Sequence, residues 1–142
     1  MEANVNASAL LAREKEVSQK RLLFYGRKND TDGKRLLAAI AGVIPDGKLE
    51  IYRDISELAL GLRAPGRGQV IAVLMASGRD EFKDFSLVQD LLVNVPLILV
   101  VPDQDEETIQ WAHQMTPRFL SQKDSDFVNL SKVLEKMFQA GV

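Results

Sequence analysis

Two unbroken apolar runs, VIAVLMA (Val70 to Ala76) and VPLILVVP (Val95 to Pro102), constrain this chain more than any other feature. Each is far shorter than the ~20 residues that a membrane-spanning helix needs. Neither alternates apolar with polar, so a strand built from either has both faces covered, as in a parallel sheet sandwiched between helices. Leu22 to Tyr25, Leu49 to Tyr52 and Phe119 to Leu120 are further strand-like runs, and segments of helical spacing separate all five. Leu36, Leu37, Ile40 and Ile44 share one helical face, as do Phe85, Val88, Leu91 and Leu92, and Phe127, Leu130, Leu134, Met137 and Phe138 form the last stripe.

The punctuation agrees with this division. Asp54 with Glu57 three residues on reads as a capping box, and Asp124 or Ser125 stands just before the final helix. Pro45-Asp46-Gly47 and Pro65-Gly66-Arg67-Gly68 mark joins. Alternation of strands and helices over 142 residues predicts one α/β domain, a doubly wound five-stranded parallel sheet of flavodoxin-like, three-layer form. That domain spans residues 20 to 142, and residues 1 to 19 are either a tail or a short accessory helix. The N-terminal stretch lacks the charged start and apolar block of a secretion signal.

Composition narrows function by exclusion. A net charge of -2 gives no electrostatic case for nucleic acid or a membrane surface. No cysteine is present, which excludes disulfides and thiolate chemistry and fits a reducing cytoplasm. A single histidine, His113, rules out a multi-histidine metal site.

In such a sheet ligands bind beyond the carboxyl ends of the strands, where strand order reverses. Those positions are Gly26 to Asp32, Ala76 to Glu81, Pro102 to Glu107 and Ser121 to Asp124. A phosphate loop of the form GxxxxGK followed by Ser or Thr is absent: Gly26 and Gly33-Lys34 have six residues between them, and Arg35 replaces the hydroxyl. GxGxxG fails as well, and a loop of Arg27, Lys28, Asn29 and Asp30 is unlike one that cradles FMN. Ser77-Gly78 does not make GxSxG. Asp103, Asp105, Glu106 and Glu107 suggest a metal site or acids favoured at a helix start, and helix capping carries the greater weight. No cofactor is expected.

Five βα units of these lengths, with PLILVV and then RFLSQK before an amphipathic helix, resemble the receiver domains of two-component response regulators over about Lys20 to Phe138. The resemblance implies a site in which an acidic pair after the first strand holds magnesium and an aspartate ending the third strand accepts a phosphoryl group. A Ser or Thr ending the fourth strand and a lysine ending the fifth complete it. Matched to those positions, Gly26 and Arg27 replace the acids, no acid occurs from Val70 to Gly78, and Val101 replaces the hydroxyl residue. Met75 or Ala76 is the nearest counterpart of the phosphoacceptor, within a span of Val73 to Ala76. Lys123 matches the lysine, with Leu120 at the aromatic switch position; a slip of one residue would substitute Gln122 and Phe119.

The expectation is a degenerate, pseudo-receiver signalling module of bacterial, cytoplasmic type. It is not an enzyme and meets a protein partner or its own copy through the fourth helix, fifth strand and fifth helix. Trp111, Met115 and Leu120 are the candidate partner face, although Trp111 could equally cover the edge of the core. The alternative is a sensor of a small anion or nucleotide at the same rim, using Arg27, Lys28 and Lys123.

Overall fold

In the computed structural model, which describes residues 20–64 and 68–139, five parallel strands stand in the order β2-β1-β3-β4-β5. They are β1 (Arg21–Tyr25), β2 (Leu49–Tyr52), β3 (Val70–Met75), β4 (Leu97–Val101) and β5 (Phe119–Gln122). The helices are α1 (Thr31–Ala41), α2 (Ile55–Arg63), α3 (Phe82–Leu87), α4 (Glu106–Gln114) and α5 (Val128–Gln139). The expected tail or accessory helix at residues 1 to 19 lies outside the described residues.

Alternate residues of each central strand enter opposite cores. Leu23, Ala72, Leu74, Leu97 and Leu99 pack with Leu58 of α2, Phe85 of α3 and Ala112 of α4. Leu22, Phe24, Val73, Met75, Ile98 and Val100 pack on the other face with Leu36 and Ile40 of α1 and Leu130 and Leu134 of α5. Both faces are thereby covered, which is why β3 and β4 are apolar without alternation. The predicted α/β sandwich is the observed fold, and its strand order reverses between β1 and β3, opening the crevice there.

Three local expectations change. The stripe from Phe85 to Leu92 is not one continuous α-helix, because 3-10 turns at Arg79–Glu81 and Gln89–Leu92 flank the short α3. Val88 N–H donates to Phe85 O at 3.1 Å and Leu91 N–H to Val88 O at 3.0 Å, so the backbone tightens while Phe85, Val88 and Leu92 remain buried. Phe127 precedes α5 rather than belonging to it and has a left-handed φ of 61°. The entry to α5 is tied by Ser125 Oγ accepting from Phe127 N at 3.0 Å and by Asp126 Oδ1 accepting from Val128 N at 3.0 Å. Of the two residues expected before the helix, Ser125 therefore takes part in the entry, while Asp126 and not Asp124 supplies the carboxylate. At α2, Asp54 accepts from Ser56 N and Glu57 N, as the N-cap expectation requires.

Candidate functional site at the carboxyl rim

The loop after β1 begins with Gly26, whose N–H extends the sheet by donating to Tyr52 O at 3.2 Å. A Cβ at Gly26 would lie 2.8 Å from Cζ of the fully buried Phe24 ring. The space for a side chain there is already filled from below. Arg53 fixes the same loop from β2's side, its guanidinium donating to Gly26 O at 3.2 Å.

Arg27 turns toward the loop after β3, where it pairs with Asp80 and, through Nε, with Glu81 Oε1 at 3.3 Å. Glu81 is completely buried, a costly place for a carboxylate without partners. It accepts from Tyr25 hydroxyl at 2.9 Å and from Ser77 N–H at 2.7 Å, in addition to Arg27. Burial, followed by the hydrogen bond to Glu81, pushes the Tyr25 phenol well above its ordinary pKa. The hydrogen bond from Arg27 is the main reason that Asp80 lies below its usual range.

Asp30 caps α1, with Oδ1 accepting from Asp32 N at 2.9 Å and Gly33 N at 3.2 Å. Its second oxygen accepts a hydrogen bond from Ser77 Oγ. Burial alone would raise the Asp30 pKa, but Ser77, the two backbone donors and the nearby Lys123 charge outweigh it and hold the carboxyl low. Lys123 Nζ reaches Ser77 O at 3.4 Å, while its backbone N–H donates to Val101 O at 3.0 Å. Arg35 secures this corner by donating to the carbonyls of Lys123 and Ser125, each at 2.9 Å.

Loops from β1, β3 and β5 thus converge on Ser77, with its side chain, N–H and carbonyl engaged by Asp30, Glu81 and Lys123 respectively. As chemistry this is a closed set. Asp30 held low is a weak base for activating the Ser77 hydroxyl, and the one histidine, His113, lies exposed on α4.

Glu106 and Glu107 stand in the first turn of α4, where the helix dipole favours acids, but the cluster also has a second partner. Asp105 occupies the N-cap position of α4 without a side-chain cap bond, and Arg79 instead gathers the cluster. Arg79 contacts Asp103 at 3.1 Å, Asp105, and Glu107 at 3.6 Å. The hydrogen bond from Arg79 is the main cause that holds the Asp103 carboxyl below its ordinary range.

The matched receiver positions come together in space. Gly26, Arg27, Met75, Ala76, Val101 and Lys123 end or follow β1, β3, β4 and β5 at one edge of the sheet. Met75, Ala76 and Val101 are fully buried and apolar. Lys123 directs its ammonium across the rim to Ser77 O at 3.4 Å. Of the three cations expected to bind an anion, Arg27 faces two acids, Lys123 sits beside Asp30 and Ser77, and Lys28 is exposed.

On the expected partner face, Met115 is 4% exposed and belongs to the core, while Leu120 is half-buried. Trp111 stacks on Phe82 with ring centroids 3.8 Å apart and planes 9° from parallel, and its indole N–H is buried without a hydrogen-bond partner. The stack places Trp111 against the core edge.

Sequence reasoning passed over Tyr25, Glu81 and Arg79. Tyr25 and Glu81 are 56 positions apart, and no local pattern announces such a pairing. The one available signal was Glu81 itself, an acid just ahead of the apolar Phe82 and Phe85.

A receiver's magnesium does not fit this rim. Gly26 has no ligand, Arg27 repels a cation, Asp80 is paired with Arg27, and the Asp30 carboxylate is taken by the cap and Ser77. Among the described residues no three acidic or histidine side chains converge as a metal-binding set.

An open, all-parallel sheet of order 2-1-3-4-5 with helices on both faces and a crevice after β1 and β3 defines the receiver-type, flavodoxin-like fold. Solved structures agree. The phosphorylated cyanobacterial phytochrome response regulator RcpA superposes with a TM-score of 0.59 at 13% identity, over 87% of this chain and 96% of that one. A response regulator receiver domain from Rhodospirillum rubrum gives a TM-score of 0.55 at 10% identity, covering 82% of this chain and 90% of that one. The Mn(2+)-bound form of a further response regulator gives 0.54 at 14% identity, covering 84% and 93%. No family model matches the sequence, and no curated protein does either.

Proposed function

We propose that this chain is a pseudo-receiver: a signalling module that has the receiver fold, lacks phosphotransfer and works by contact with another protein or a second copy of itself. The observation that carries the reading is the replacement of the cation pocket by an internal ion pair. Arg27 lies between Asp80 and Glu81, and the Phe24 ring fills the space beneath Gly26. Two of the structural neighbours were solved phosphorylated or with manganese bound, and the corresponding chemistry needs acids that this chain does not have at the matched positions.

The module is non-catalytic in this reading, since the Ser77 hydroxyl at the rim crevice donates to Asp30, a carboxylate held low and therefore a weak base. The partner face is the surface of α4, β5 and α5, with Trp111 and Leu120 at its inner edge and Met115 beneath it. A bacterial cytoplasmic setting agrees with the cyanobacterial and Rhodospirillum neighbours and with a chain free of cysteine. Among the described residues no helix is long and apolar enough to cross a membrane. Anion or nucleotide sensing at this rim is the weaker reading, because Arg27 and Lys123 already face carboxylates.

The test follows Trp111 fluorescence, the chain's single tryptophan, on adding magnesium and beryllofluoride. The expected result is no saturable change. Magnesium-dependent binding would overturn the reading, whereas sedimentation or pull-down identifies the partner.

A further inference from the structure

The end of the sheet opposite the rim holds an open cavity of about 770 Å³, within the range of roughly 300–1,000 Å³ typical of ligand pockets. It lies under the starts of β1, β3, β4 and β5, between the ends of α2 and α5, so it spans the two helical layers. Its apolar wall is made by Leu62, Val70, Val95 and Met137. Three cations, Lys20, Arg118 and Lys136, line it, and no Asp or Glu does so among the described residues.

This distribution is unusual for the position. In a parallel α/β fold the helices run back with their C-termini at this end, so the helix dipoles make it locally negative and unfavourable to anions. Any anion site here must obtain its charge from side chains. Lys20 offsets the dipole at α5 by donating to the carbonyls of Met137 at 3.0 Å and Phe138 at 3.1 Å. Arg118 and Lys136 are exposed, and neither side chain has an ion-pair or hydrogen-bond partner among the described residues. Their charges remain available to a ligand.

We infer that this cavity binds an organic anion: a carboxylate, sulfonate or phosphate head held by Arg118 and Lys136, on an apolar body lying against Leu62, Val70, Val95 and Met137. The inference is independent of the pseudo-receiver reading, which concerns the other end of the sheet. A guanidinium suits an oxyanion because it offers paired donors, and the ammonium adds a second point of charge. The sulfonate of 8-anilinonaphthalene-1-sulfonate is the probe, and N-phenyl-1-naphthylamine, the same body without the sulfonate, is its uncharged control.

Titrated into the full chain, the sulfonate should bind saturably at one site and more tightly than the neutral control. The Arg118→Gln, Lys136→Gln double variant should weaken it about tenfold or more, the loss expected for removing two charge-assisted contacts. Both side chains are exposed, so this variant should fold, and a thermal melt checks it. Nitrogen-proton NMR of the unaltered chain gives a second reading: shifts should centre on Gln69 and Asn94 at the cavity and leave Gly26 to Asp30 unmoved. Competition by inorganic phosphate would support recognition of the oxyanion head. Equal affinity for the neutral control, unchanged binding in the double variant, or NMR shifts centred on the rim would each overturn the inference.

Discussion

The two ends of this sheet use the same kinds of side chain in opposite ways. At the carboxyl rim Arg27, Arg79 and Lys123 all face acids, and each cation fastens one loop to another. At the amino end Arg118 and Lys136 face an open cavity that no acid among the described residues lines. Charge at the rim therefore serves to hold the fold together, whereas at the base it is left over. The lesson is that counting cations near a strand end does not locate an anion site; what counts is whether the surrounding acids have already neutralised them.

The sharpest way to break this contrast is to remove Glu81. Its loss strands the Tyr25 hydroxyl, the Ser77 N–H and Arg27 together in a region where Glu81 itself is wholly buried. Glu81→Ala should cost about 3 kcal/mol, the scale for deleting one partner of a buried charged network. Urea unfolding measures it, and a loss below about 1 kcal/mol would show that the rim is not held by this network. Next comes Gly26→Ala, which brings a Cβ within 2.8 Å of the Phe24 ring. Overpacking of that kind costs about 1–3 kcal/mol. If the protein tolerates it freely, the Phe24 ring yields and the rim has room for a side chain.

The fold was legible because burial on both sides leaves an unmistakable mark on sequence: Val70 to Met75 and Leu97 to Val101 contain no polar residue. The rim was legible only as a set of positions. Gly26, Arg27, Val101 and Lys123 could be placed by counting along strands, yet the partners of Arg27 could not. Asp80 is 53 positions from Arg27, and the link depends on the turn at Arg79–Glu81, which helical periodicity does not reveal. The acids at Asp103 and Asp105 looked like helix-start residues for the same reason, since Arg79 reaches them from another loop. The basal cavity left no local trace, as its cations come from three distant points of the chain: just before β1, just before β5 and the last turn of α5.

A smaller effect comes from Asp30, where local capping and the long-range Ser77 contact meet. Asp30→Ala should cost about 1 kcal/mol, the usual value of an N-cap, with the Ser77 contact adding to it. The effect has a pH signature. The Asp30 pKa is depressed in the folded chain, so its stabilisation is present above the unfolded carboxyl value and is lost as pH falls through the lower, folded one. Urea midpoints should therefore separate the original and variant proteins at neutral pH and converge below about pH 4, the ordinary Asp range. A gap that persists unchanged in acid would mean that the ionised carboxylate is not the stabilising form.

The smallest expected effect is at the base, and its smallness is what sharpens the comparison. Arg118→Gln and Lys136→Gln remove exposed cations that have no acidic partner among the described residues, so each should change stability by less than about 0.5 kcal/mol. For Lys136→Gln the sign should be slightly unfavourable at low ionic strength, because a cation in the last turn of α5 offsets the helix dipole, and salt should reduce the loss. Adding 8-anilinonaphthalene-1-sulfonate should raise the melting temperature of the unaltered chain and do so less for the double variant, since a ligand stabilises only the state that binds it. If either substitution instead destabilises the chain as strongly as Asp30→Ala, these cations are structural after all, and the two ends differ in degree and not in kind.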